Sequence, residues 1–403
     1  MFYVDFVKFM RILFTNTGSW GTGSFTAINA MVKELLKLGH QVKVFFPDAG
    51  MHSRDKEHYY SQPEIYEIWK FPIKNKDTEL KTFPLMIPDP NPRVSDIITF
   101  KDLTQKQLQL YIDDFSINIQ RVIDDFKPDV IESEHVWIMA YMLHKLGFSY
   151  VIGAHMSDQI AFKYDQGMQS RAIEAAKHAK TIFAISNYVK RELISLYQIP
   201  DEKIVITYNG FDEDVFYPKA LQREKVLQEF KLNLPEDAKI ITFAGKISKT
   251  KGIDIVLQAA QLIDKKYQAH FLIFGSGKIE ANLPNVHFLG HHMSERLAQA
   301  HNVAHLCVAP SREEGFGISS LEAMACGLPV IVCENTGAEE FAIGEIIEQE
   351  NPKSLADAII KILSLPKNEY NKLSKQAIAK AQDFSWEHIV QERLRCYQAT
   401  EAT

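Results

Sequence analysis

Cysteine is scarce: the four in 403 residues, Cys307, Cys326, Cys333 and Cys396, form no Cys-x-x-Cys pair. That spacing offers no thiolate zinc motif. Their apolar neighbours predict buried, reduced thiols, the usage of a cytoplasmic protein. No apolar run approaches the roughly 20 residues that span a bilayer, and no signal-peptide pattern opens the chain, where Met10 stands as an alternative start. Net positive charge is also missing. The formal charge is −6, with neither half basic, which excludes a general affinity for nucleic acid. Solenoid repeats and low-complexity segments are absent, excluding repeat architectures. What remains is a chain with 46% hydrophobic residues, long enough for two ordinary domains with full cores.

The most informative stretch is 310–333. It reads as a loop carrying Glu314, Gly315, Phe316 and Gly317, a helix through Leu321, Ala323, Met324 and Ala325, and a strand at Val330, Ile331 and Val332. Ser319 and Ser320 offer hydroxyls at the helix start; Gly327 and Pro329 stop it. A helix N-terminus opened by glycine aims unpaired N–H groups and partial positive charge at whatever lies above it, and so suits a phosphate. Glu322, in about the first turn, and Glu314 on the loop are acceptor-only carboxylates that suit hydroxyl groups. A phosphorylated, polyhydroxylated ligand such as a sugar nucleotide meets both demands; two surface acids at a helix start are the alternative.

The same alternation of strand, glycine turn and helix recurs along the chain. A first strand at 10–15 runs into a turn containing Trp20, Gly21 and Gly23, then a helix through Ile28, Met31, Val32, Leu35 and Leu36 and a strand at 41–46. This is the opening unit of a doubly wound sheet, although Thr26 occupies the third glycine of a dinucleotide fingerprint. Residues 51–104 lose the pattern and predict an irregular excursion. Its Tyr59, Tyr60, Tyr66, Trp69 and Phe71 are offered either to a sugar or lipid or to a local packed cluster. A helix at 108–126, with Leu110, Ile117, Ile119 and Val122 among its apolar positions, precedes a strand opening at 129–132. The strand beginning at Tyr150 delivers His155 and Asp158 to the sheet's carboxyl edge. The pattern restarts with a strand at 238–244, whose following turn holds Lys246 and Lys251. Paired histidines at 291–292 and at 301 and 305 lack matching carboxylate or cysteine ligands, so no metal site is predicted.

Glu314-x7-Glu322, within the string Glu-Gly-Phe-Gly and Leu-Glu-Ala-Met-Ala-x-Gly-x-Pro-Val-Ile, resembles the signature of retaining family 4 glycosyltransferases. The resemblance implies an α/β GT-B fold: two doubly wound, Rossmann-like domains facing a central cleft, with a C-terminal helix crossing back to the N-terminal domain. It places an acceptor-binding domain at 1–208, a hinge at 208–218, a nucleotide-sugar domain at 209–384 and the returning helix at 385–403. The last helix shows Ile389, Val390, Leu394 and Tyr397 on its apolar face.

By that resemblance the chain transfers a sugar, with retention, from a UDP- or GDP-sugar to a hydroxyl acceptor, without a metal or other required cofactor. His155, Glu314 and Lys251 are the implied catalytic residues. Donor contacts fall to Gly21, Gly23, Lys246, Lys251, Gly290, His291, Glu314, Gly315, Phe316, Gly317, Ile318, Leu321 and Glu322. Trp20, Asp158 and Asn209 are placed on the acceptor side. Peripheral membrane contact enters only with a lipid acceptor. Two positions depart from the family pattern. Lys246 stands where an arginine is usual, keeping charge but losing the planar fork. Met156 stands where a glycine follows the histidine. A sugar-nucleotide-binding protein without transfer, or a GT-B phosphorylase or nucleotide-sugar epimerase, are the alternatives.

Overall fold

A computed structural model describes residues 8–19, 21–50, 56–88, 96–279 and 281–401. The chain divides into two units, one comprising Met1–Tyr208 with Ile389–Thr403 and the other Asn209–His388.

The first unit is built on a parallel sheet of β1 (Arg11–Asn16), β2 (Gln41–Asp48), β3 (Tyr66–Lys70), β6 (Val130–Glu134), β7 (Val151–Ala154), β8 (Ile182–Ala184) and β9 (Ile204–Ile206); β4 (Ile73–Lys74) and β5 (Glu79–Leu80) form a separate small hairpin. The order is β3-β2-β1-β6-β7-β8-β9. Winding therefore reverses between β1 and β6, and beyond the carboxyl ends of those two strands lies the crevice that open sheets use for ligands. Strands such as β1 are apolar on both faces because helices cover both, so they read as continuous rather than alternating hydrophobic runs.

Within the predicted excursion at 51–104, the described residues include an ordered element: Tyr66–Lys70 adds an edge strand in register with β2. Its aromatics settle the choice left open above. Tyr59, Tyr66, Trp69 and Phe71 are buried, with Tyr59 and Tyr66 edge-to-face at 5.0 Å and Trp69 against Tyr111 at 4.8 Å. Those four rings are core, and Tyr60 donates its hydroxyl hydrogen to Asp48 at 2.5 Å. Two apolar positions are also corrected: Leu36 and Ile117 are exposed, and Tyr111 and Phe115 supply core contacts on the helix Gln105–Phe126 instead.

The second unit repeats the plan with β10 (Lys239–Ala244), β11 (Ala269–Phe274), β12 (Val286–Gly290), β13 (Leu306–Ala309), β14 (Val330–Cys333) and β15 (Gly344–Ile347), ordered β12-β11-β10-β13-β14-β15. Its reversal falls between β10 and β13. The loops leaving those strands carry Lys246 with Lys251 and Glu314, so topology alone brings these residues to one edge. Cys307, Cys326 and Cys333 are buried free thiols, whereas Cys396 is only partly buried.

The last helix, Trp386–Glu401, belongs to the first unit from Ile389 onward. Ile389, Val390, Leu394 and Tyr397 are buried as their spacing requires. Between them, Arg393 points a buried guanidinium at Glu132 of β6, 3.0 Å from its carboxylate, and the Tyr397 hydroxyl donates to the same group. Removing one partner of a buried pair costs about 3 kcal/mol or more, since the other charge is left without compensation. Arg393→Met is expected to lower the thermal unfolding midpoint measurably, and least at acidic pH, where Glu132 can take up a proton.

Candidate functional site

In the second unit the site begins with two loops held backbone to backbone. Gly252 has φ +72°, and a Cβ there would lie 1.9 Å from the Pro310 carbonyl oxygen, so only glycine lets the loop after β10 lie against the loop after β13. The Arg312 amide donates to the Thr250 carbonyl at 2.8 Å. Its guanidinium forks onto both carboxylate oxygens of Asp254 at 2.9 Å each and reaches Glu350 through Nε at 2.8 Å. The Arg312 hydrogen bonds hold the Asp254 carboxyl below the usual carboxylate range.

Within that frame Lys251 and Glu314 meet: Nζ lies 2.8 Å from Oε2, with side chains 28% and 18% exposed. Two residues assigned to different parts of a donor are thus paired with each other. Lys246 is exposed on the same loop, and Gly315, Phe316 and Gly317 are buried. The helix Ile318–Ala325 starts at Gly317, with φ +96° and no side-chain cap. The expected serine hydroxyl cap is therefore absent: Ser320 is buried, and its Oγ has no hydrogen-bond partner. Glycine supplies the bend; the Ser320 amide turns back onto the Gly317 carbonyl at 3.0 Å, so a ligand at this helix start would be met by the amides before it. Glu322 is the fifth helical residue, past the first turn. Burial, reinforced by the charge of Asp212, pushes its carboxyl up to about 8. Gly290 has φ +79°, His291 beside it is exposed, and the His292 ring meets Phe230 at 5.3 Å.

His301 is buried in the core and His305 is half-buried beside it. The Nδ1 of His301 bonds with the Thr242 hydroxyl at 3.0 Å, and the Nδ1 of His305 accepts from the Ile240 amide at 3.1 Å. Burial lowers them to about 3 and about 4, respectively. Among the described residues no group of three or more His, Cys, Asp or Glu side chains could hold a metal ion.

In the first unit, Gly21 has φ +79° and Gly23 opens the helix Gly23–Lys37, capped by the Thr22 hydroxyl accepting from the Phe25 amide. Trp20 lies outside the described residues. Met156 takes φ +74° and ψ −33°, a conformation that glycine adopts readily and a side-chain-bearing residue only rarely. The carboxylate of Asp158 accepts from the amides of Val136 at 2.9 Å and His155 at 3.1 Å; it shapes this loop. Asn209 is buried at the start of the second unit. His155 lies 2.5 Å through Nε2 from Glu134, with side chains only 6% and 0% exposed. Glu132, Glu134 and Arg393 escaped the sequence reading. Their signal was available: two acids inside an apolar strand, and an arginine spaced four residues from Ile389 and from Tyr397 on an otherwise apolar helix face.

Residues 21–215 match the family described as Glycosyltransferase Family 4, and residues 224–380 match Glycosyl transferases group 1. An uncharacterized glycosyltransferase of Methanocaldococcus jannaschii is 29% identical over 297 residues, covering 67% of this chain and 75% of that one. Sucrose-phosphate synthase from Thermosynechococcus elongatus superposes with a TM-score of 0.73 at 19% identity over 98% of this chain and 99% of that one. HepE from Anabaena, solved with UDP and glucose, gives 0.73 at 17% identity over 97% and 100%.

The elevated Glu322 carboxyl makes a prediction with a definite sign. An acid whose folded value is raised contributes stability that is fully present below its unfolded value, near 4.5, and is lost as pH rises through about 8. Glu322→Gln is expected to gain in thermal midpoint relative to the parent protein between pH 5 and pH 8, and an unchanged difference across that range contradicts the assignment.

Proposed function

The chain belongs to the superfamily of GT-B-fold glycosyltransferases, and from that premise we propose that it is a retaining family 4 enzyme transferring a sugar from a nucleoside diphosphate to a hydroxyl acceptor. The observation that carries this reading is the convergence of Lys246, the Lys251–Glu314 pair and the glycine-opened helix at the β10/β13 reversal. Cations and helix-start N–H groups meet a diphosphate, and carboxylates meet hydroxyls. UDP, the nucleotide in the HepE structure, is one of the two nucleoside diphosphate carriers, UDP and GDP, favoured here.

In the proposed reaction Lys246, Lys251 and the amides at 316–319 bind the diphosphate, which gains negative charge as the bond to the anomeric carbon breaks. Glu322 accepts from or donates to the ribose hydroxyls. With no ligand, the ion pair keeps Lys251 and Glu314 in place; when the diphosphate arrives, Lys251 acquires a second anion, and Glu314 turns to the hydroxyls of the donor sugar. His155 is the first unit's assigned contact to that sugar. The acceptor oxygen bonds to the anomeric carbon on the face the diphosphate leaves, and its proton passes to a departing phosphate oxygen. That route needs no carboxylate nucleophile of the glycosidase kind.

A thermal-shift panel of nucleotide sugars selects the donor, since a ligand that binds the folded state raises its apparent stability. With that donor, Glu314→Ala is expected to lower kcat by roughly 100-fold or more while keeping nucleoside diphosphate affinity within a few fold. Lys251 is then left unpaired but partly solvated, so the fold survives. Unchanged turnover in this variant rules out the site.

A further inference from the structure

Glu132 and Glu134 lie two apart on β6 and therefore point to the same side of the sheet. Both carboxylates crowd over Gly153 of β7: a Cβ on Gly153 would lie 2.2 Å from Oε2 of Glu134 and 2.9 Å from Oε1 of Glu132. Two buried carboxylates this close cannot both stay ionised without cations beside them. Each has one. Arg393 and the Tyr397 hydroxyl serve Glu132, and His155 serves Glu134.

We propose that Glu134 is a positioning residue that holds His155 as an imidazolium, fixing Nε2 inward so that the opposite edge of the ring carries the charge toward the carboxyl end of the sheet. Burial by itself would lower the histidine, but the charge and hydrogen bond of Glu134 outweigh it and raise the group above its ordinary value. The other charged or titratable groups acting on the ring, among the described residues, are Asp158, which favours the cation, and Arg393 and His135, which oppose it. His135 is pressed down to about 4 chiefly by burial and so is neutral at pH 7. Glu132 adds no net negative charge: burial pushes it up to about 7, and once ionised it is matched by Arg393. Glu132 is thus largely neutralised by Arg393, and Glu134, in direct contact with the ring, is the main group raising His155, with Asp158 adding to it. A charged imidazole at the carboxyl end of the first unit's sheet offers an N–H donor to an anionic or hydroxyl-bearing ligand there, a use that rests on the transfer proposed above.

The test is the titration of His155 in the full-length, ligand-free protein with 13C-labelled histidine, its signal assigned by its loss in His155→Gln. The parent protein is expected to titrate above 6.5, and Glu134→Gln to shift the midpoint down by at least about one pH unit. A parent midpoint at or below 6.5, or no shift in Glu134→Gln, overturns the proposal; the first outcome needs no variant to fold. With a donor from the thermal-shift panel, the alkaline limb of the kcat profile should move down by the same amount with KM little changed, and an unmoved limb removes the catalytic use of the charge. Absence of turnover on every nucleotide sugar in the parent protein defeats the transferase reading, while the titration still decides the histidine's charge.

Discussion

The guanidinium of Arg312 grips Asp254 through two parallel hydrogen bonds of 2.9 Å, and the arrangement of the candidate donor site depends on that grip. Asp254 sits in the first turn of the helix that follows the Lys246–Lys251 loop, and Arg312 lies two residues before Glu314. The fork therefore sets the distance between one loop's cations and the other loop's carboxylate. Bidentate, charge-assisted contacts fix orientation as well as separation. Gly252 makes the approach sterically possible, and Arg312 makes it definite. Lys251 and Glu314 can then pair at 2.8 Å on backbone that is already in place, which reduces the ordering left for a ligand to impose.

The first unit handles charge in the opposite way. In the second unit the paired groups stay partly solvated and can exchange partners with a ligand. In the first, Glu132, Glu134, His155 and Arg393 are nearly or wholly withdrawn from water, where desolvation is severe and only mutual pairing makes ionisation tolerable. A network of this kind is rigid. It ties the last helix to β6 through Arg393 and Tyr397, and β6 to the histidine loop through Glu134.

Much of this was legible in the sequence, and the gaps have physical causes. Strand, glycine turn and helix repeat with apolar strands, so both doubly wound units could be read from periodicity. The edge strand Tyr66–Lys70 could not, because an edge strand packs a mixed face and its Tyr and Trp suggested a ligand platform as readily as a core. Leu36 and Ile117 fit a helical spacing yet face solvent, since spacing defines a stripe but not its width. Glu314, Glu322, Lys251 and His155 stood out as candidates because local chemistry and motif order coincide there. The partners that control them were not, as Glu134, Arg393 and Asp254 act through contacts between residues far apart in the chain, which no local pattern encodes.

The central claim is that the edge between β10 and β13 receives the diphosphate of a nucleotide sugar. A crystal structure of the full-length protein with a bound nucleoside diphosphate tests it most directly. The account predicts phosphates on the amides at 316–319 and on Lys246 and Lys251, with the ribose on Glu322 and the Lys251–Glu314 contact lengthened or shared. A diphosphate bound away from both loops, with that ion pair unchanged, would contradict it.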